Sequence, residues 1–441
     1  MKYISVVHLV DTEGPLYEPL NITFNRIKET FGVKIKANKS NLKKIFKKDI
    51  DLNLNSKLKK KFFESFNERI LNYKKNWKEI NSQNKILFSK KFRSRYKDSF
   101  GQNWKINWNC VDHINYKSNP QRKTLGYHKI FDYYKNRILK SGIKDSIHFH
   151  FHPTSIPNSS NTTGNHYFSN SDNIFQILCR RIIDRNWFPS VYRPGFHIEN
   201  PDSNWFLEQF IPFDYSNQSC SQINTNTERF ENWEYASKSW SPYHPDHDDY
   251  QKKGSCRRWV ARCLNVGTRI ALLNQSEVDR AFAEKKKNKK VILAFTNHDF
   301  RSMEHDFNNT YRMLLNSSKK YKIRFKFSDA REAFQNLLIK PKKNIKFKIN
   351  FIDDKIFIKS NKKIFGPQPF LAIKTKDKNY YHENFYIKKP FKEWIYSFDR
   401  HSIEKNKVDC FAFAANDSYG STVLVKIKFN NNRFTIKNYN L

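Results

Sequence analysis

Ser146-Ile147-His148-Phe149-His150-Phe151-His152-Pro153 sets three histidines at alternate positions among apolar residues. Successive side chains of a β-strand point to opposite faces. His148, His150 and His152 therefore share one face, and Ile147, Phe149 and Phe151 pack on the other. Pro153 cannot donate to a ladder and ends the strand. Three imidazoles at a strand end admit two readings. One is a polar strand face with chance histidines. The other is a metal site, because neutral imidazole is a standard ligand for Zn, Fe, Ni and Cu.

Other strands carry polar clusters to their ends in the same way. Residues 3–10 form a buried apolar run that delivers Asp11-Thr12-Glu13-Gly14-Pro15, with Asp11 and Glu13 on one face. Residues 190–197 read as strand and turn around Arg193-Pro194-Gly195-Phe196-His197. Residues 211–216 form another strand and turn, holding Asp214, and residues 259–265 a further strand. Residues 291–295 form a strongly apolar strand that delivers Thr296-Asn297-His298-Asp299. Apolar residues at helical spacing predict helices over 126–140, 174–185, 277–286 and 303–316. Ser328 is placed as the cap of the helix after the 322–327 strand, with Arg331 at its third position. Strands alternating with helices predict an α/β fold with a largely parallel sheet. Polar ends gathered from several strands are the behaviour of a (β/α) barrel.

Residues 1–340 make up this part, with a basic helical insertion at about 35–100 read as helices laid over the surface, without chemistry of their own. Residues 100–116, with Asp112 and His113, supply a strand and loop near the site. The polar loop 154–173 carries His166 toward it. From residue 341 the texture changes to period-two alternation, as in Ile345-Lys346-Phe347-Lys348-Ile349, which predicts an antiparallel β domain over 341–441. Asp399, His401 and Asp409 there are read as surface residues.

The chain carries a net charge of +39, from 81 Lys and Arg against 42 Asp and Glu. Such a balance fits a nucleic-acid partner or an anionic surface, and equally a compositional drift toward Lys, which is the favoured reading. The lysines are spread along most of the chain and no nucleic-acid motif accompanies them, so no specific nucleic-acid partner is expected. Peripheral contact with an anionic membrane or acidic glycan remains open to a surface of this sign. Six cysteines form no CxxC pair in this long chain, which fits a reduced compartment. No window approaches 18 uninterrupted apolar residues and no secretory leader is legible. The expectation is a cytoplasmic protein.

Taken together, VDTEGP (10–15), HFHFHP (148–153), YRPGFH (192–197), PFDYS (212–216) and LAFTNHDF (293–300) resemble, in this order, the motifs of the polysaccharide deacetylase (NodB homology) family, in the HxHP form of its metal motif. SPYHPDHDDYQKKG (241–254) is similar to a loop of its surface-glycan members. The resemblance covers roughly residues 3–335 outside the basic insertion. It implies a distorted (β/α) barrel, one divalent metal, usually zinc, and removal of an acetyl group from an amino sugar. Carried over, Asp11 is the general base, Glu13, His150 and His152 are metal ligands, and His298 is the general acid. Arg193 holds Asp11, with Asp214 as a supporting charge. The spacing equally allows His148 with His152 as the histidine pair, and Glu13 stands where the commoner motif has Asp. The chemistry is coherent by itself: three protein ligands leave a position for water, and a carboxylate base and an imidazole acid are what amide hydrolysis requires. The substrate class implied is a carbohydrate or a nucleotide- or lipid-linked glycan precursor, in surface polysaccharide biosynthesis. Competing expectations are a non-catalytic glycan-binding member of the same fold and a nucleic-acid-binding basic protein.

Overall fold

A computed structural model describes residues 3–441 apart from 163, 165, 221–232, 269, 431 and 432. Its first part holds strands β1 (Tyr3–Thr12), β2 (Asn107–Cys110), β3 (Ser146–Phe151), β4 (Val191–Pro194), β5 (Phe213–Asn217), β6 (Trp259–Asn265), β7 (Ile292–His298) and β8 (Arg324–Phe327). They pair in the order β2-β3-β4-β5-β6-β7-β1, and a further pairing of β1 with β2 closes the ring into a seven-stranded parallel barrel. The closure is uneven. Leu9–Thr12 of β1 pairs with β2, whereas Tyr3–Val6 pairs on that same side with β8. β8 thus wedges open one half of a seam. Asn107 stitches it: its Nδ2 donates to the His8 carbonyl at 3.1 Å, and its Oδ1 accepts from the Ala330 amide at 2.7 Å.

The strands are almost wholly buried, as parallel strands covered on both faces must be. One face of each points into the barrel. Val7, Leu9, Val191, Phe213, Tyr215, Ala261, Cys263, Ile292 and Ala294 fill the interior there, with Ala333 and Phe334 closing it from outside the strands. The other face packs outward on helices. Ile4, Val6, Val10 and Trp108 join one outer cluster; Phe149, Phe151 and Tyr192 join a second.

The helices are α1 (Leu20–Phe31), α2 (Lys39–Lys47), α3 (Ser56–Ser65), α4 (Glu68–Leu71), α5 (Trp77–Leu87), α6 (Lys90–Arg93), α7 (Lys129–Ser141), α8 (Ser171–Arg185), α9 (Pro201–Phe210), α10 (Gln275–Lys286), α11 (Glu304–Tyr321) and α12 (Ala330–Gln335). The cap of α12 lies one residue later than expected. Asp329, not Ser328, accepts from the amides of Arg331 (2.8 Å) and Glu332 (3.0 Å), and Glu332 reciprocates as the third helical residue. The true capping box is Asp329-x-x-Glu332.

The insertion is also more than a surface layer. Helices α1 to α3 form a satellite core around Ile27, Ile45, Phe62 and Phe66. α5 and α6 instead feed Leu87, Phe88 and Phe92 into the main outer cluster. Arg93 of α6 is buried and clamps Asp145 with two bonds, at 3.0 and 2.6 Å, just before β3. These residues are apolar or paired because they support the barrel wall.

Residues beyond α12 form two antiparallel sheets. One contains β9 (Phe347–Ile352), β10 (Lys355–Ser360), β13 (Tyr386–Lys389) and β14 (Glu393–Ser397). The other contains β11 (Phe370–Thr375), β12 (Tyr380–Glu383), β15 (Val408–Asn416), β16 (Thr422–Asn430) and β17 (Arg433–Asn440). The central strands of the larger sheet, β11 and β15, are buried on both sides. Leu371, Ile373, Phe411 and Phe413 face the smaller sheet, and Phe370, Ala372 and Ala412 pack on the α8–α9 side of the barrel. Asp399 and His401 are exposed and Asp409 is half-buried. Among the described residues no helix is long and apolar enough to cross a membrane.

Candidate metal centre

Interior positions at the C-terminal ends of the strands replace the apolar filling with polar groups. Pairing register brings them together. Asp11 of β1 has His298 of β7 as its partner on one side and Asn109 of β2 on the other. His150 of β3 has Arg193 of β4. In a parallel sheet, register partners point to the same face, so all five side chains face the barrel mouth.

Glu13, His150 and His152 form the core of the site. All three are buried, and one ligand atom from each lies within 4.8 Å of the others. Nε2 of His152 is 2.9 Å from Nε2 of His150 and 3.5 Å from Oε1 of Glu13. His150 donates from Nδ1 to the Arg193 carbonyl at 2.8 Å, which leaves Nε2 with its lone pair toward the site. The second Glu13 oxygen is taken by Lys123 Nζ at 2.9 Å, and the first is turned to the histidines. Burial by itself would raise the Glu13 carboxyl. The cations and imidazoles around it, Lys123 foremost, hold it well below its ordinary value. Burial likewise drives His152 well below its ordinary value, so its imidazole is neutral and able to coordinate. One carboxylate oxygen and two imidazole nitrogens converging on one point fit a divalent cation.

Around this trio stand the expected proton-handling groups. Asp11 is buried, accepts from Asn109 Nδ2 at 3.2 Å and pairs with Arg193 Nε at 3.4 Å. Arg193 is fully buried and anchored by its Nη1 bond to the Tyr215 carbonyl at 2.6 Å and by a contact with His197. His298 is the most exposed of the group. Its Nε2 lies 4.0 Å from Asp11 Oδ2 and 3.8 Å from Glu13 Oε1. Burial pulls its imidazole down to about 4, against the two carboxylates that raise it.

His148 is not brought to the centre. Two residues earlier on β3, it sits about 6.6 Å lower along the strand. Its Nε2 meets Asn107 Oδ1 at 3.1 Å, Ser146 Oγ at 3.0 Å and Asp329 at 3.4 Å. That is the seam where β8 enters, and the imidazole is occupied there. Asp214 is also elsewhere. Its register partner is Tyr192, which packs outward, so its carboxylate leaves the face that Arg193 uses. It pairs instead with Arg258, which also binds Glu199 and Asn204 in a buried network. Asp214 therefore does not support the Arg193–Asp11 pair directly. His166 is exposed on the β3–α8 connection. The loop at 241–254 is pinned to α9, where Asn204 Nδ2 donates to the carbonyls of Asp246 and His247.

Four participants had no assigned role from the sequence. Lys123 sits in a loop without a motif, and nothing in its neighbours marks it. Asp299, inside a noted motif, accepts from the amides of Glu13 (3.1 Å) and Gly14 (3.0 Å) and from Tyr134 (2.8 Å), fixing the turn that presents Glu13. Burial pushes its carboxyl up to about 7 in spite of those donors. His113 reaches the Glu13 carbonyl at 3.1 Å. Gly195 leaves room for His152: a Cβ there would lie 2.6 Å from His152 Cδ2 and 2.6 Å from the Phe151 carbonyl. The next two residues, Phe196 and His197, hold φ values of 54° and 62°, a left-handed pair that non-glycine residues seldom adopt. The ring of Phe196 packs edge-on against His152, with centroids 4.5 Å apart.

Comparison with family models, with curated proteins and with solved structures finds no match for this chain.

Proposed function

We propose that this protein is a metal-dependent carbohydrate deacetylase of the polysaccharide deacetylase type, acting in the cytoplasm on an acetylated amino sugar in a glycan or a nucleotide- or lipid-linked precursor. The observation that carries this reading is the buried Glu13–His150–His152 trio with Asp11 and His298 beside it at the barrel mouth. The order of strand-end motifs supports it independently.

Glu13, His150 and His152 would hold the cation, with zinc the best match to one carboxylate and two imidazoles. When bound, it would supply Lewis-acid polarisation of the acetamide carbonyl and a lowered pKa for water. Asp11 takes the proton from the attacking water. Asn109 and Arg193 keep its carboxylate oriented, since both present donors or charge to Oδ1 and leave Oδ2 toward the mouth. His298 delivers a proton to the departing amine nitrogen as the C–N bond breaks, and acetate leaves with the water oxygen. Because Oδ2 of Asp11 and Nε2 of His298 stand 4.0 Å apart, the proton has a short route from base to acid.

The test is metal analysis of the purified chain, followed by an acetate-release screen over acetylated amino sugars and their nucleotide-linked forms. The reading expects stoichiometric zinc or another divalent metal, with acetate and free amine in equal amounts, abolished by a chelator and restored by metal. Tight glycan binding without acetate release, with metal supplied, would replace it by the glycan-binding reading. Absence of metal, together with unchanged turnover in Asp11→Asn, would end it.

A further inference from the structure

The insertion carries a second concave site. Lys34, Lys36, Lys44, Lys48 and Lys59 line a cavity of about 640 Å³ on the satellite core, with Asp49, Asp51 and Asn41. That volume lies within the range of small-molecule sites, about 300–1,000 Å³.

The charges at this cavity are unbalanced. Five lysines against two aspartates leave an excess of three positive charges on its wall. A minority of lysines elsewhere pair with carboxylates, as Lys105 and Lys326 do with Glu332 and Lys320 with Asp279. Among the described residues, none of the five cavity lysines forms an ion pair, with Asp49 and Asp51 or with any other carboxylate. Lys44 lies in the last turn of α2, and Lys48 follows it as the left-handed cap. Lys57, Lys59 and Lys60 crowd the first turns of α3, at the positive end of its dipole, with no acidic residue in the first turn. Gathering cations at that end costs stability unless an anion lies among them.

We infer that this cavity binds a diphosphate group. A diphosphate matches the excess charge, fits the volume, and suits lysines, which bind phosphate as mobile point charges with three donors each. No aromatic side chain lines the cavity, and single-stranded nucleic acid is held by stacking on aromatic rings. This inference stands apart from the reading of the metal centre, which it neither uses nor extends.

The test is calorimetric titration of the full chain with inorganic pyrophosphate at low ionic strength, and sedimentation with phosphatidylcholine vesicles with and without phosphatidic acid. Saturable 1:1 pyrophosphate binding is expected, weakened roughly tenfold or more in the double variant K44E/K48E and less in K44Q/K48Q. The control K346E/K348E, in the C-terminal domain, is expected to bind as the parent does. Vesicle binding with the same variant pattern would assign the phosphate to a lipid headgroup, and its absence to a soluble ligand. The inference falls if K346E/K348E weakens binding as much as K44E/K48E, if pyrophosphate does not bind, or if duplex DNA binds more tightly and displaces it. The circular dichroism spectrum of each variant establishes that it is folded.

Discussion

Asp11 and His298 are register partners on adjacent parallel strands, with Nε2 of the imidazole 4.0 Å from Oδ2 of the carboxylate. They are 287 residues apart in the chain, and barrel closure makes them neighbours. Glu13, two residues past Asp11 on the same face, comes within 3.8 Å of the same nitrogen. The Asp11–His298 pair and Glu13 thus occupy successive levels of one interior surface.

Separating these two roles is the sharpest check on the site. Asp11→Asn and His298→Gln should each lower acetate release about 10²- to 10⁴-fold. Metal content should stay at the parent value, because neither residue belongs to the Glu13–His150–His152 trio. Plasma emission analysis beside the kinetic assay reads both quantities. A variant that loses metal and activity together would reassign that residue to coordination.

Gly195→Ala tests the packing behind His152. The added Cβ would meet the His152 ring at 2.6 Å and the Phe151 carbonyl at the same distance, so one of them must move. The expected outcome is metal affinity reduced about 10- to 100-fold, with stability lowered by about 1–3 kcal/mol. A competition titration against a chromophoric chelator measures the first. Unchanged affinity would show that the turn can yield without disturbing the ligand.

Lys123→Met removes the cation 2.9 Å from Glu13 and leaves the carboxylate buried without it. The metal-free protein should lose about 3–5 kcal/mol of stability, and added divalent metal should restore part of it by supplying the missing positive charge. Thermal unfolding with and without metal gives the comparison. Equal destabilisation in both conditions would mean that Glu13 does not face the cation.

Acid should unfold this protein through its buried histidines. His8 accepts from Trp104 Nε1 at Nδ1 (3.0 Å) and donates from Nε2 to Asn297 Oδ1 (3.1 Å), an arrangement that needs a neutral ring. Burial lowers it from 6.5 to about 3. Between those values the unfolded chain binds a proton that the native state refuses. Stability is therefore full above pH 6.5 and falls as pH drops toward 3, by about 2 kcal/mol at pH 5 for a single such group. His382, half-buried against Phe175 and Phe370 and lowered to about 4 by burial, acts in the same direction. Urea unfolding at pH 7.5 and pH 5 should show the loss, and His8→Gln should reduce the difference. A pH-independent midpoint across that range would contradict it.

Much of the barrel was legible because a parallel strand must be apolar on both faces. The runs at 3–10 and 291–295, and the histidine alternation at 146–152, betray their strands whatever lies around them. The same period of two placed Asp11 with Glu13, and His150 with His152, on common faces. The antiparallel domain announced itself by half-buried alternation. Side-chain partners across the fold were less accessible. Asp214 lay in a motif beside that of Arg193, but register assigns it to Tyr192 and the outward face. The capping box of α12 was displaced by one residue because Ser328 and Asp329 are both good caps, and the end of β8 decides between them.

The sequence by itself therefore determined the alternating architecture, the strand ends that carry polar clusters, and the residue types of the candidate site, since period and polarity are local properties. Tertiary structure alone decided which histidines converge. His148 and His150 have the same local pattern. A wedge formed by β8, more than 170 residues later, takes His148 into a polar seam, and closure through β1 and β2 turns His150 to Glu13. It also brought Lys123 to Glu13 and made α5 and α6 part of the wall. These outcomes depend on register and ring closure between distant segments, and no local pattern encodes the distance between them.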